Sequence, residues 1–223
     1  MKQRELFTKR GPGRPRKRGE KSRQHKPRPE FEARHPVHVT LRVTRAIGNL
    51  RRRHAYHAIR HAMYPGLART DFRIIHVSIQ HDHVHLIVEA DGARALSRGM
   101  QGFQISAAQR LNRALAPGRR GQVFVDRYHA RVLTSPTRAR NALAYVLNNW
   151  RKHREDRGRT TRLLDPYSSA INFGGWAELD DSPLLYTPPL GYQRLSTCLP
   201  HTWMLQQGWR RAGPISALAA PRD

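Results

Sequence analysis

Between Pro36 and Leu133 the hydrophobic period of the chain switches repeatedly between two residues and three to four, and the order of those switches restricts the fold to a small set. Val37, Val39, Leu41 and Val43 alternate with His38, Thr40 and Arg42, the pattern of a half-buried strand. A basic helix over about 47–64 follows, opening near Asn49 and stopped by Pro65-Gly66. Strands are expected at 72–79 and 83–90, the second with Val84, Leu86 and Val88 on one face. Leu96, Met100, Phe103, Ala107, Leu111 and Leu115 then recur as the single buried stripe of a long helix over about 93–115. A fourth strand is expected within 122–133, after the basic turn that contains Arg119 and Arg120. Thr134-Ser135-Pro136 supplies a capping hydroxyl and a proline suited to the first helical position, opening a helix that runs to about His153. Strand, helix, strand, strand, helix, strand, helix is the order of an α+β, ferredoxin-like split βαβ. It predicts a four-stranded antiparallel sheet with helices on one face and one further helix appended.

Charge narrows the partners. The 223 residues carry 41 Lys and Arg against 16 Asp and Glu, a formal net charge of +25, which calls for a polyanion. Residues 1–35 alone hold 13 Lys and Arg with 4 Glu and few large apolar side chains, a composition that cannot offset chain entropy by burial. This stretch reads as a disordered basic arm. Within it, Gly11-Pro12-Gly13-Arg14-Pro15-Arg16 resembles an AT-hook, in which Arg14 and Arg16 would enter a narrow minor groove; a general phosphate-binding tail is the plainer alternative. The single cysteine, Cys198, excludes an internal disulfide framework. No apolar run reaches the roughly 18 residues of a spanning helix, and Met1-Lys2-Gln3-Arg4 lacks the apolar stretch of a secretory signal. The expectation is a cytoplasmic protein associated with nucleic acid, with no membrane partner. Three regions are expected: the arm at 1–35, a catalytic domain at 36–155, and an irregular Pro- and Trp-containing extension at 156–223 packed on the core.

Three groups of residues carry possible chemistry. On a strand, His83 and His85 project to one face while Val84 points to the other, so the two imidazoles can share a divalent cation, though surface strands commonly carry histidines without one. On the last helix, Ala139, Ala142, Leu143, Val146, Leu147 and Trp150 form the core stripe, with Tyr145 and Asn149 one turn apart beside it. A tyrosine there can be packing alone; an oxygen donor four residues on places a second polar group over the same spot. Arg119, Arg120, Arg127, Tyr128, His129 and Arg131 match phosphate contacts and base-stacking positions for single-stranded nucleic acid, or a solvated charged rim.

Taken together, His83-Val84-His85, Tyr145-Val-Leu-Asn-Asn149 and the intervening Gly121-Gln-Val-Phe-Val-Asp-Arg-Tyr-His129 resemble the single-tyrosine HUH transposases, most closely the REP-associated tyrosine transposases of bacteria. The resemblance covers about 36–155. It implies a nuclease that cuts and rejoins single-stranded, hairpin-forming DNA, as a monomer or a homodimer. It further implies that His83, His85 and Asn149 hold Mg²⁺ or Mn²⁺ and that Tyr145 is the nucleophile. Many insertion-sequence relatives carry Gln where Asn149 stands, and the shorter Asn makes its direct ligation the least secure of the three. The residue types suit that chemistry: a cation would polarise a phosphodiester oxygen, and a phenol with a pKa near 10 needs help to ionise. The covalent link conserves the phosphodiester energy, so no ATP is needed. His81, on the same strand face, is better read as exposed than as a general base.

Two other readings compete. His81-Asp82-His83-Val84-His85 also looks like a nucleotide-hydrolase histidine triad, but Asp82 stands where that pattern wants an apolar residue, and the charge of +25 is left without a role. A non-catalytic, domesticated DNA-binding protein that kept the transposase fold would share the salt-sensitive DNA affinity and lack the chemistry of Tyr145.

Overall fold

The computed structural model describes residues 30–116, 118–153, 163–179 and 191–221. Four strands, β1 (Val37–Arg42), β2 (Phe72–Ile79), β3 (His83–Ala90) and β4 (His129–Val132), form one antiparallel sheet in the order β2-β3-β1-β4. Helix α1 (Arg53–Ala62) links β1 to β2, with the four-residue α2 (Tyr64–Leu67) after it, and α3 (Ala93–Leu115) links β3 to β4. Each link crosses over one intervening strand, which is the split βαβ arrangement. Helix α4 (Pro136–Lys152) follows β4, and short turns with α5 (Trp203–Gln206) complete the described chain. No helix among the described residues is long and apolar enough to cross a membrane.

The pleat sorts the strands' side chains onto two faces. Val37, Val39 and Leu41 of β1 and Val84, Leu86 and Val88 of β3 join Ile59, Leu96, Met100 and Phe103 in a core beneath α1 and α3. That helix pair lies so close to the sheet that a Cβ on Gly99 would sit 2.2 Å from the Phe72 ring. The opposite face carries α4. There Ile75 and Ile87 pack with Leu143, Val146 and Leu147, and with Leu164, Phe173, Trp176, Met204, Trp209 and Ile215 from the C-terminal part. A bulge between Ile74 and His76 puts both Ile75 and His76 on this second face and returns Val77 and Ile79 to the first core with Ile74. The buried Arg51–Asp165 ion pair, at 2.9 Å, and the Glu89 carboxylate, which accepts from the backbone of His201 and Thr202, tie the C-terminal part to the sheet.

Two boundaries differ from the sequence expectation. The first helix begins at Arg53 rather than near 47, because Asn49 Oδ1 accepts from the Arg51 N–H (2.8 Å) and holds a turn, while Arg45–Ile47 form a single 3₁₀ turn. Pro65-Gly66 does not stop that helix. It lies inside α2, whose first turn tolerates a residue without an N–H. In the 122–133 segment only His129–Val132 is a strand. The Gln122 amide donates to the carbonyls of Phe124 and Val125 and curls the chain, leaving a single bridge between Phe124 and Val43.

Candidate active site

The site lies on the sheet face that carries α4. The register of β1 with β3 places Thr40 opposite His85 and Arg42 opposite His83, so the polar alternates of both strands share one surface. Ser135 Oγ accepts from the Arg138 N–H (3.2 Å) and Pro136 opens the helix, fixing where α4 begins over that surface. From there the helical repeat decides the contacts. The Tyr145 ring stands edge-on to the His85 ring with centroids 5.2 Å apart, and two turns later the His153 ring lies 5.3 Å from that of His83. Asn149, midway between them on the same helical line, therefore faces the histidine pair.

The two histidine rings are perpendicular, with centroids 4.7 Å apart. His83 Nδ1 is bonded to Asp82 Oδ1 at 2.6 Å, which leaves its Nε2 as the free donor. His85 is 4% exposed; its Nδ1 lies 3.1 Å from both Thr40 Oγ1 and His38 Nε2, while its Nε2 has no partner. Asn149 is fully buried, and neither its Oδ1 nor its Nδ2 is hydrogen-bonded. A buried polar atom without a partner costs about 1–3 kcal/mol, so these three atoms are candidate donors and acceptors for a bound group. Two imidazole nitrogens and an amide oxygen suit a divalent cation, with the second nitrogen of each ring already committed to an orienting partner. Among the described residues no three His, Cys, Asp or Glu side chains converge as a metal site, and Asn149, one helical turn after Tyr145, is the residue whose amide oxygen could complete the donor set.

Burial governs the electrostatics. It lowers the pKa of His38 to about 4, with the nearby His129 and Arg131 acting in the same direction. Burial first, and then the His38, His83 and His153 rings, hold His85 far below the usual histidine range. Both rings are therefore neutral at pH 7, the form that accepts a bond or ligates. Lys152 places its ammonium 5.2 Å from the Tyr145 ring centre. A cleft of about 850 Å³ opens beside Tyr145, bounded by His38 and Arg131 from the sheet, Arg138 from α4 and residues 215–221 from the C-terminal part.

Four residues singled out in the sequence thus gather here: His83, His85, Tyr145 and Asn149. Arg131 is exposed and lines the cleft, and His129 is exposed beside it on β4. The other basic candidates lie elsewhere. Arg120 and Arg127 are exposed on the loop before β4, and Arg119 bonds Asn112 at the end of α3, bracing its own turn. Tyr128 corrects the expectation of a stacking platform: it is 7% exposed and packs in the first core. His81 lies in the turn before β3, exposed and off the strand face. Arg14 and Arg16 lie outside the described residues. Sequence reasoning missed His38, Thr40 and Asp82. The signal was present, since His38 and Thr40 are the polar alternates of a strand whose other half is core, but using it required knowing which strand lies alongside.

Comparison with known proteins bears on the family and the fold. Residues 34–149 match the model of a family described as "Transposase IS200 like". No curated protein matches the chain. Among solved structures, a REP-associated tyrosine transposase bound to a REP hairpin is similar over 78% of this chain and 99% of its own, at 15% identity and a TM-score of 0.53, a likeness of fold. A putative transposase from Deinococcus radiodurans R1 aligns over 63% of this chain and 99% of its own, at 14% identity and a TM-score of 0.36. The family match spans more than half of the 223 residues and runs from the strand that carries Thr40 to Asn149 itself, and on that ground the chain belongs to the IS200-like transposases, enzymes of DNA transposition.

Proposed function

We propose that this transposase cuts and rejoins single-stranded DNA at hairpin-forming sequences through a covalent 5′-phosphotyrosine on Tyr145. The observation that carries the reading is the stacking of α4 on β3, which sets the Tyr145 ring against His85 and the His153 ring against His83. His83, His85 and Asn149 would hold a divalent cation, Mg²⁺ or Mn²⁺, which when bound supplies polarisation of a non-bridging phosphate oxygen. Asp82 orients His83, and the sheet orients His85. Tyr145 Oη loses its proton and attacks phosphorus; the bond from phosphorus to the 3′ oxygen breaks, and that oxygen takes up a proton as a free 3′-OH. The same steps reversed, with another 3′-OH as the attacking group, rejoin the strand without an external energy source.

The partner follows from charge and likeness. A net charge of +25, an arginine-lined cleft and a solved structural relative bound to a hairpin all support DNA. Arg131 and Arg138 are the cleft residues best placed to take phosphates, with Arg120, Arg127 and His129 exposed nearby in sequence and Arg14 and Arg16 on the arm. All four site residues come from one chain. Asn148 Nδ2 and Arg151 Nε of α4 also donate to the carbonyls of Ser216 and Ala217, which supports a site built within a monomer, with a homodimer as the other form.

Labelled hairpin DNA incubated with Mg²⁺ or Mn²⁺ and run on a denaturing gel tests the reading. An SDS-resistant protein–DNA adduct is expected in wild type and absent from Tyr145→Phe. Adduct formation by the variant removes Tyr145 from its role, and binding without any adduct in wild type favours a DNA-binding protein without catalysis.

A further inference from the structure

The second nitrogen of His85 is held by more than its strand partner. Thr40 faces His85 directly in the β1–β3 register, and its Oγ1 lies 3.1 Å from His85 Nδ1. His38, two residues away on the same face of β1, brings its Nε2 to the same nitrogen, also at 3.1 Å. Its ring forms a triangle with the two groups that matter, 5.2 Å from the His85 ring and 5.8 Å from that of Tyr145, which are themselves 5.2 Å apart.

Elementary hydrogen-bond chemistry decides what two neighbours at one imidazole nitrogen mean. An unprotonated ring nitrogen has a single in-plane lone pair and accepts one bond, whereas a ring N–H can be shared between two acceptors. With Thr40 alone either tautomer of His85 would be served, because a hydroxyl both donates and accepts. The second neighbour breaks the tie: only an Nδ1–H on His85 satisfies both contacts at once. That tautomer leaves Nε2 bare, and Nε2 is the buried atom without a partner.

We infer that His38 is a positioning residue that fixes His85 in the Nδ1–H tautomer and so keeps Nε2 open as a cation donor. The inference rests on the reading that His83, His85 and Asn149 hold the cation. It adds a residue of β1 to the site and assigns a role to a half-buried polar side chain on a strand whose other face is core.

Long-range ¹H–¹⁵N NMR of histidine-labelled protein without metal reads the tautomer directly, and calorimetric titration with Mn²⁺ in the absence of DNA reads the consequence. Wild type should show His85 as Nδ1–H. His38→Asn, whose side chain is too short to reach, should show a mixture of tautomers and bind Mn²⁺ about 10- to 100-fold more weakly. His38→Gln, which restores an acceptor at the right reach, should recover most of both. Thermal melts of the variants separate a folding defect from a local one, and the Gln variant keeps the test decisive if the Asn variant is unstable. An Nε2–H tautomer in wild type, or a His85 tautomer unchanged by His38→Asn, overturns the role of His38. Absence of Mn²⁺ binding by wild type with the tautomer pattern as expected overturns the cation reading and leaves the positioning of His85 standing.

Discussion

The two faces of one sheet divide the labour of this protein. Under α1 and α3 the face is apolar from edge to edge and its strands contribute valine, leucine and isoleucine. Under α4 the same strands contribute His38, Thr40, His83, His85 and Glu89 beside Ile87. The first face gives stability through area removed from water, about 25 cal/mol for each Å². The second face gives up part of that gain, and its buried polar atoms are either closely bonded, as in Glu89, or left open, as in His85 Nε2 and Asn149. The alternation that fixes the fold therefore also delivers the site, because residues two apart cannot serve the same face as their neighbours.

If that division holds, changes on the two faces should separate activity from stability. Tyr145→Phe is the extreme case. The ring is kept, so the melting temperature should stay within about 2 °C of wild type by differential scanning fluorimetry, while adduct formation falls by 10³-fold or more. A large loss of stability would show that the hydroxyl is structural and would blur the two faces.

Arg51→Ala should produce the largest loss of stability, because Arg51 joins the first half of the chain to the C-terminal part. Its guanidinium donates to both Asp165 oxygens at 2.9 Å, donates to the Ile79 carbonyl at 3.0 Å, and covers the Tyr167 ring. Removing it takes from Asp165, which is 1% exposed, the guanidinium that pairs with its buried charge, a change that costs about 3–5 kcal/mol. Urea unfolding should report that loss, and limited proteolysis should cut earliest within 163–221.

Much of this was legible in the sequence, and the reason is periodicity. The strands at 72–79 and 83–90 and the helix at 93–115 have the observed boundaries because each is dense in apolar residues along its whole length, even though the bulge shifts the phase of the first. Tyr145 and Asn149 were legible as a pair because four residues is one helical turn. What depended on distant contacts was not legible. The burial of Tyr128 and the pairing of Trp176 with Ile215 are set by partners far along the chain, while the curl at Gln122 is a local side-chain bond that hydrophobic period does not report. His38 shows the same limit on a small scale: its residue type was visible, and the neighbour that gives it meaning lies 47 positions away.

A smaller effect comes from acid on the second face, at a histidine remote from the site. His76 is fully buried with Nδ1 on Ser169 Oγ, and burial lowers its pKa to about 4. The unfolded chain takes up that proton near pH 6.5 and the folded chain does not, so the contribution of His76 to stability is lost progressively as pH falls from about 6.5 toward 4. Melting temperature should drop over that window, and less in His76→Gln than in wild type. On the first face, Gly99→Ala should cost about 1–3 kcal/mol at every pH, because the new methyl meets the Phe72 ring at 2.2 Å and no titratable group takes part. A Gly99 variant as stable as wild type would mean that α3 is less tightly seated than its apolar face implies.

The smallest effect has the opposite sign, and it tests the comparison most sharply. Asn149 is fully buried with both amide atoms unbonded, amid Val146, Leu147 and Trp150 of the same helix, which are buried too. An apolar side chain of similar volume should fit that position better than an amide does, since it removes two unpaired polar atoms and adds apolar contact. Asn149→Leu should therefore raise stability by about 1–2 kcal/mol in urea while abolishing Mn²⁺-dependent adduct formation. Such a gain would mean that the amide is kept at the expense of folding, as expected where function and stability compete for one position. A loss of stability in Asn149→Leu would instead show that the amide is satisfied in solution by a bound group that also holds the apo fold, and the second face would then be no less settled than the first.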